Sequence, residues 1–174
     1  MSRIISGRFG GLRLQSPKHD IRPTADQVKE YMFNVCRDFD ESVVADLYSG
    51  TGALGLEALS RGAEEVHFVD NNARSCRLIE ENLLKLGVEK GFHLHRMGSE
   101  RFLRDQHKVF DRILADPPYA YALQEDFFLL CRQALKDGGV MIFEYRSNWN
   151  AGENLPFSCR KFKKFGETGV WIYE

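Results

Sequence analysis

Two short runs hold the residues best placed to do chemistry. Asp116-Pro117-Pro118-Tyr119 follows directly on an apolar run, Val109 to Ala115. Two consecutive prolines remove two backbone N–H donors and fix two φ angles. The Asp116 carboxylate and the Pro117 carbonyl then form a stiff pair of acceptors. Such a pair suits an exocyclic NH2 on a planar base, a poor nucleophile because its lone pair is delocalised into the ring. Holding both N–H groups favours a pyramidal nitrogen whose lone pair turns toward an electrophilic methyl, and Tyr119 can stack on the base. The second run is Asp46-Leu47-Tyr48-Ser49-Gly50-Thr51-Gly52-Ala53-Leu54-Gly55. Its G-x-G-x-x-G spacing lets backbone approach a ligand closely, although a plain strand–helix turn has the same need. Two acids narrow the reading. Asp46 stands just before the loop, where a carboxylate suits an ammonium better than a diphosphate. Asp70 ends the next apolar run, where it can hold a ribose diol or, more plainly, complement a helix dipole. The pairing fits a cationic amino-acid nucleoside, S-adenosylmethionine.

These runs need a scaffold, and the chain alternates in the way that builds one. Short apolar strands are expected at Val43 to Leu47, Val66 to Val69, Phe92 to His95, Val109 to Ala115 and Val140 to Glu144. Helices are expected between them, through Leu54 to Leu59, after an Asn71 or Asn72 cap and on to Leu86, and over Leu123 to Leu135 up to Gly138-Gly139. Strand-like runs at Cys159 to Phe165 and Val170 to Tyr173 flank turn residues and form a terminal hairpin. Continuous apolar strands alternating with helices predict a parallel sheet covered on both faces, with the hairpin adding an antiparallel edge. Ahead of it, Ile4-Ile5 and Leu12/Leu14 around Gly10-Gly11 predict a small β-hairpin. Thr24 and Gln27 then supply a capping box for a helix that buries Val28, Tyr31, Met32 and Val35.

The 174 residues fit one domain, 43% hydrophobic and 28% charged, with a net charge of −1. No apolar run is long enough for a membrane helix, and the balance of charge excludes a polycation. A nucleic-acid partner therefore needs a local basic patch. The first 22 residues offer one, with Arg3, Arg8, Arg13, Lys18 and Arg22 against Asp20. Arg160-Lys161 and Lys163-Lys164 offer another. Cys36, Cys76, Cys131 and Cys159 show no zinc spacing and are expected as free buried thiols in a reducing compartment. No secretory leader is visible, which points to the cytoplasm. His93 and His95 alternate on one strand and are expected at the surface or satisfied in the core.

On these residues the chain resembles class I S-adenosylmethionine-dependent methyltransferases of the amino-group type. More closely, it resembles bacterial small-subunit (16S) ribosomal RNA guanine-N2 methyltransferases. Arg3-Ile4-Ile5-Ser6-Gly7 with Leu12-Arg13-Leu14 matches that family's N-terminal hairpin, and Arg22-Pro23-Thr24 with Val28 and Phe33-Asn34 matches its signature helix. Gly50 to Gly55 runs on into Leu56-Glu57-Ala58-Leu59-Ser60-Arg61-Gly62-Ala63. Glu80, Asn82-Leu83, Leu86-Gly87, Asp116 to Tyr119 and Gly138-Gly139 complete the match.

The resemblance implies a Rossmann-like α/β fold: a mixed, mostly parallel seven-stranded sheet. Residues 1–22 would be an RNA-contacting hairpin extension, and residues 23–174 the catalytic domain. It implies methylation of N2 on one guanine in a hairpin loop of the small-subunit RNA. A near-neutral chain with a small basic patch has modest affinity for naked RNA, so a monomer acting on a protein-bound 30S particle or an assembly intermediate is expected. The resemblance places Asp46, Tyr48, Gly50, Gly52, Asp70 and Asn71 on the cofactor and Asp116, Pro117, Pro118 and Tyr119 on the target base. It sets Arg22 and Thr24 at the active-site rim, toward the RNA, while the local charge of Arg3, Arg8 and Arg13 predicts that they meet its phosphates. Where the family has Asp or Asn for the adenine amino group, Gly98-Ser99-Glu100 stands here, so Ser99 or backbone would make that contact.

Alignment and acceptors suffice for methyl transfer from a sulfonium, so neither a metal nor a histidine base is expected. The nearest alternative is an adenine-N6 methyltransferase on RNA or DNA. A glutamine-amide methyltransferase would carry Asn before Pro-Pro-Tyr, and an NAD-binding domain would find Asp46 crowding its pyrophosphate. A non-catalytic RNA-binding module with the same fold fits poorly with an intact Asp116 to Tyr119.

Overall fold

The computed structural model describes residues 3–16, 23–36, 38–120, 125–149 and 155–174, with only the backbone for 23–25. Its centre is a seven-stranded sheet in the order β3-β2-β1-β4-β5-β7-β6. The strands are β1 (Val43–Leu47), β2 (Glu65–Val69), β3 (Phe92–His95), β4 (Phe110–Ala115), β5 (Leu135–Arg146), β6 (Cys159–Phe165) and β7 (Thr168–Tyr173). β1 to β5 run parallel, and β7 pairs antiparallel with β5 and β6. The parallel strands read as unbroken apolar runs because both faces are covered. Helices α1 (Pro23–Val35), α2 (Ala53–Ser60) and α3 (Ala73–Leu86) cover one face. There Met32, Phe33, Leu56, Ile79 and Leu83 pack on Val44, Val66, Phe68 and Leu114. Helices α4 (Ser99–Leu103) and α5 (Glu125–Ala134) cover the other. Here Phe102, Phe127, Phe128 and Cys131 meet Ala45, Leu47, Ile113 and Phe143.

Several expectations are corrected. The N-terminal segment turns back on itself, with an antiparallel bridge from Arg3 to Arg13 and the Ile4 N–H donating to the Leu12 carbonyl, but among the described residues it builds no longer ladder. It is held by side chains distant in sequence. Glu57, fully buried on α2, accepts from the N–H groups of Ile5 (2.6 Å) and Ser6 (3.1 Å) and pairs with Lys29 and Arg61. Ser60 accepts from the Phe9 and Arg8 N–H groups through its hydroxyl and carbonyl. Ile4, Phe9 and Leu14 enter the α1–α3 core, so this stretch shares the core of the sheet. Helix α1 begins at Pro23, which places Thr24 inside its first turn and not at the cap. Proline is well suited to a first helical position, where its missing N–H is no loss. Helix α5 stops at Ala134, and β5 starts at once, ahead of Gly138-Gly139. Leu135 pairs with Phe110 before a register shift brings Val140 beside Arg112. Cys36, Cys76 and Cys131 are buried free thiols, but Cys159 is exposed on the edge strand β6. Among the described residues, no helix is long and apolar enough to cross a membrane.

Candidate active site

The strand order reverses between β1 and β4: β2 and β3 extend one way from β1, and β5 the other way from β4. Ligands of open α/β sheets bind outside the carboxyl ends of the strands at such a switch. Both chemical runs emerge there, because Leu47 and Ala115, the last residues of β1 and β4, are register partners. A cavity of about 800 Å³ opens between them, within the usual size of a small-molecule site. Tyr48, Gly50, Asp70, Asn71, Ser99 and the whole of Asp116 to Tyr119 line it.

The Gly loop is built from captured backbone. Asp70 lies at the end of β2 and accepts from the N–H groups of Gly50 (2.9 Å) and Asn72 (2.8 Å). Asn72 in turn caps α3 by accepting from the Arg74 N–H. Ser49 donates to the Asp46 carbonyl and accepts from the Val69 N–H. Asn82, fully buried on α3, donates to the Thr51 carbonyl (3.0 Å) and exchanges two hydrogen bonds with the Gln15 backbone. That brings Ser16 to the cavity wall. The glycines divide their work. A side chain at Gly50 would meet nothing nearer than the Tyr48 carbonyl at 3.9 Å, so this residue faces open space. Gly52 has φ +77, and a Cβ there would press on Ile79 at 3.2 Å. At Gly55 a Cβ would lie 2.3 Å from the Phe68 ring, so its absence lets α2 sit against β2.

Asp46 and Gly52 therefore lie behind the lining, not on it. Asp46 is 1% exposed and spends one carboxylate oxygen on the Gly55 N–H, 2.9 Å away, at the start of α2. Burial pushes its pKa up to about 8; the Gly55 hydrogen bond works against this, and Asp116 and Asp70 add to it. Asp46 thus keeps its proton at neutral pH and serves as a cap beneath the loop, while Asp70 stays at the ligand surface.

The second turn is held by rings. Pro117 is buried, and Asp116 and Pro118 are exposed to the cavity. The Tyr119 hydroxyl shares a hydrogen bond with Thr168 Oγ1 (2.6 Å), and the Tyr145 hydroxyl donates to the Tyr119 carbonyl (3.2 Å). Tyr145 meets the Tyr119 ring edge-on, and the Arg146 guanidinium lies 5.8 Å from its centre. These contacts tie the turn to β5 and β7 and fix the plane of the ring.

The expected Ser99 is among the lining residues, whereas Glu100 and Glu144 were not expected there. Ser99, 2% exposed, and Glu100 open α4, a helix of one turn, and the Tyr48 hydroxyl donates to Glu100 Oε1 (3.2 Å). Glu144 comes from β5 beside β4. The alternation of β5 with Asp116 as its neighbour was the available signal for Glu144; the five residues of α4 were too few for a periodic one. Among the described residues the charged groups on the cavity are Asp70, Glu100, Asp116 and Glu144, all acidic. That surface attracts a cation and repels a diphosphate. None of the described histidines lines it.

The predicted RNA contacts are spread out. Arg3 and Arg13 are exposed side by side, with Arg3 3.5 Å from Asp26. Arg8 lies at the other end of the sheet, in a second hollow of about 560 Å³ with Glu64, Glu65 and Lys90. Arg22 falls outside the described residues, and of Thr24 only the backbone is described.

Comparison with known proteins adds four findings. The family model described as "Conserved hypothetical protein 95" matches residues 2–174. A protein named "Ribosomal RNA small subunit methyltransferase D" from Escherichia coli (strain K12) is 32% identical over 183 residues, covering 99% of this chain and 89% of that one. Its namesake from Haemophilus influenzae is 33% identical over 147 residues, covering 81% and 76%. The solved structure "Putative methyltransferase yhhF from Escherichia coli" aligns with a TM-score of 0.86 at 26% identity, over 98% of this chain and 96% of that one.

Proposed function

This chain belongs to the conserved hypothetical protein 95 family, and from that premise we propose that it methylates the exocyclic N2 of one guanine in small-subunit ribosomal RNA with S-adenosylmethionine. Its fold is that of the class I methyltransferases. The observation that carries the reading is a single acidic cavity lined both by the Gly loop with Asp70 and by Asp116 to Tyr119. The names of the relatives support ribosomal RNA as the substrate.

The cavity fits the group. Its volume suits an amino-acid nucleoside, and its carboxylates suit a sulfonium and an ammonium. Asp70 would hold the ribose, Gly50, Tyr48 and Asn71 the adjoining wall, and buried Ser99 the adenine edge. S-adenosylmethionine, when bound, supplies an electrophilic methyl on a sulfonium with a neutral leaving group.

The chain's own residues then do three things. Asp116 Oδ and the Pro117 carbonyl accept the two N–H groups of the base and stabilise the positive charge that develops on its nitrogen. Tyr119, its ring plane fixed by Thr168 and Tyr145, stacks on a base turned out of its helix. The cavity supplies alignment, a contribution of up to roughly 7–11 kcal/mol in favourable cases. The methylated nitrogen is acidic enough to lose its proton to water, so no side-chain base is assigned.

Exposed Arg3 and Arg13, with exposed Lys161, Lys163 and Lys164 on β6, are the described candidates for backbone phosphate contact, in a monomer working in the cytoplasm. With a net charge of −1, the chain has little general attraction for RNA. A protein-bound subunit or assembly intermediate is thus the better substrate, and equal rates on naked RNA would contradict that preference. The decisive experiment is mass mapping of small-subunit RNA from a strain lacking this gene. One N2-methylguanine should disappear and return with the wild-type chain but not with Asp116→Ala. Unchanged guanine with a lost N6-methyladenine would favour the adenine reading, and an unchanged map would overturn both.

A further inference from the structure

On the α4–α5 face, at the sheet edge formed by β3, a second cluster of chemically capable side chains lies away from the cavity. Glu65 and His67 alternate on β2, so both point to one face, and His93 is the register partner of His67 on β3. His67 Nε2 lies 2.7 Å and His93 Nε2 2.9 Å from Glu65 Oε1, and the three ligand atoms lie within 4.8 Å of one another. We propose that Glu65, His67 and His93 form a binding site for a divalent transition-metal ion of the zinc type.

The donor set carries the choice of ion. Two imidazole nitrogens and one carboxylate oxygen suit zinc-type ions, whereas magnesium and calcium prefer all-oxygen shells. Tetrahedral coordination at about 2.0–2.1 Å separates ligand atoms by roughly 3.3 Å. To seat an ion, the two imidazoles draw back from Glu65 by about half an ångström and their nitrogens, no more than 4.8 Å apart, settle to that spacing. The protein provides three ligands and leaves a fourth position to water, because the side chain of His93 is 54% exposed and opens the site to solvent.

The surroundings of His67 favour coordination. Its ring packs against Phe102 and Phe110, at 5.8 and 5.2 Å between centres, which fixes its plane. His95 Nε2 lies 3.1 Å from His67 Nδ1. Coordination through Nε2 puts the His67 ring proton on Nδ1, where His95 accepts it. This is the outer hydrogen bond that metal-binding histidines usually make. An ion here would clip the four-residue edge strand β3 to β2, giving it a structural role independent of methyl transfer.

The test uses the full chain without a histidine tag, stripped by chelator and titrated calorimetrically with Zn2+, and with Co2+ followed by its visible spectrum. One ion per chain is expected, with tetrahedral Co2+ bands. His93→Gln, at an exposed position that tolerates change, should weaken binding at least tenfold, as should His67→Gln, while His107→Gln, far from the cluster in sequence and exposed, should bind as wild type. Zn2+ at about 100 times its Kd should raise the wild-type Tm by about 5 °C or more and that of His93→Gln by at most about half as much. Absence of saturable binding by the wild type, or equal binding by His93→Gln, would overturn the site. So would an equal loss in His107→Gln.

Discussion

The two turns that border the cleft leave neighbouring strands at the same height, yet opposite means hold them. The loop after β1 is stiffened by buried or half-buried polar groups that seize its backbone: Asp70 on Gly50, Asp46 on Gly55 and Asn82 on Thr51. The turn after β4 has two positions with no N–H to seize. Instead, proline rings and the contacts of Tyr119 with Tyr145 and Thr168 hold it. The first method leaves a smooth wall with spare space at Gly50, suited to a ligand held along its length. The second leaves an acid exposed at the end of a stiff corner, suited to a ligand gripped at one atom. Binding and chemistry should therefore separate between the turns.

Asp116→Ala tests this most severely. It removes a charged acceptor while leaving the prolines and the Gly loop in place. We expect kcat to fall by about 10²–10³, the usual cost of one transition-state hydrogen-bonding group. Calorimetric affinity for S-adenosylmethionine should stay within a few fold of wild type. A parallel loss of affinity would show that the two turns work as one unit.

Asp70→Ala is the converse. It removes the ribose acceptor and strips the Gly50 and Asn72 N–H groups of their partner. Losing such an acceptor costs about 1–3 kcal/mol, so affinity for S-adenosylmethionine should weaken by roughly 10- to 100-fold. At saturating cofactor, kcat should recover most of its wild-type value. A kcat that stays low at saturation would place Asp70 in the chemistry as well.

Asp46 separates the loop's architecture from its ligand surface. Its pKa is raised to about 8, against about 3.9 in the unfolded chain. Between those values the native state holds a proton that the unfolded state has lost, so this group lowers stability as pH rises through that window. Asp46→Asn keeps an oxygen for the Gly55 N–H and abolishes the slope. The variant's Tm should gain on wild type from pH 5 to pH 8, by at most about 1.4 kcal/mol per pH unit in stability. A constant difference across those pH values would mean that Asp46 is ionised in the folded protein.

The same pair of acids marks where the sequence stops being legible. Asp46 and Asp70 are the same residue type at the ends of adjacent apolar runs, and nothing local distinguishes the buried one from the exposed one. β1 was readable because a parallel strand covered on both faces is an unbroken apolar run, and its expected bounds, like those of the edge strands β3 and β6, match the structure. The start of β5 was hidden because Gly138-Gly139 resembles a helix stop, while the pairing of Leu135 with Phe110 depends on a distant strand. The N-terminal segment was read in part. Its apolar alternation gives the turn back from Ile4 to Leu12 and the Arg3–Arg13 bridge, but Glu57, Ser60 and Asn82, some 50 to 70 residues away, also hold it. Glu100 and Glu144 became site residues only when α4 and β5 brought them to the β4 corner.

The mildest change bears on how the aromatic corner works. Tyr119→Phe keeps the ring, its edge contact with Tyr145 and its place near Arg146, and removes only the hydroxyl that meets Thr168. A single half-buried hydrogen bond of this kind contributes about 0.5–1.5 kcal/mol. The Tm should therefore drop by about 2–5 °C for a chain of this size. If Tyr119 acts by stacking, kcat should stay within about fivefold of wild type, because the backbone bond from Tyr145 still holds the corner. Tyr119→Ala, which removes the ring, should lose far more activity for a comparable or larger loss of stability. Equal activity losses in the two variants would assign the work to the hydroxyl and its tether to β7, and the corner would then be held by polar capture, as the Gly loop is.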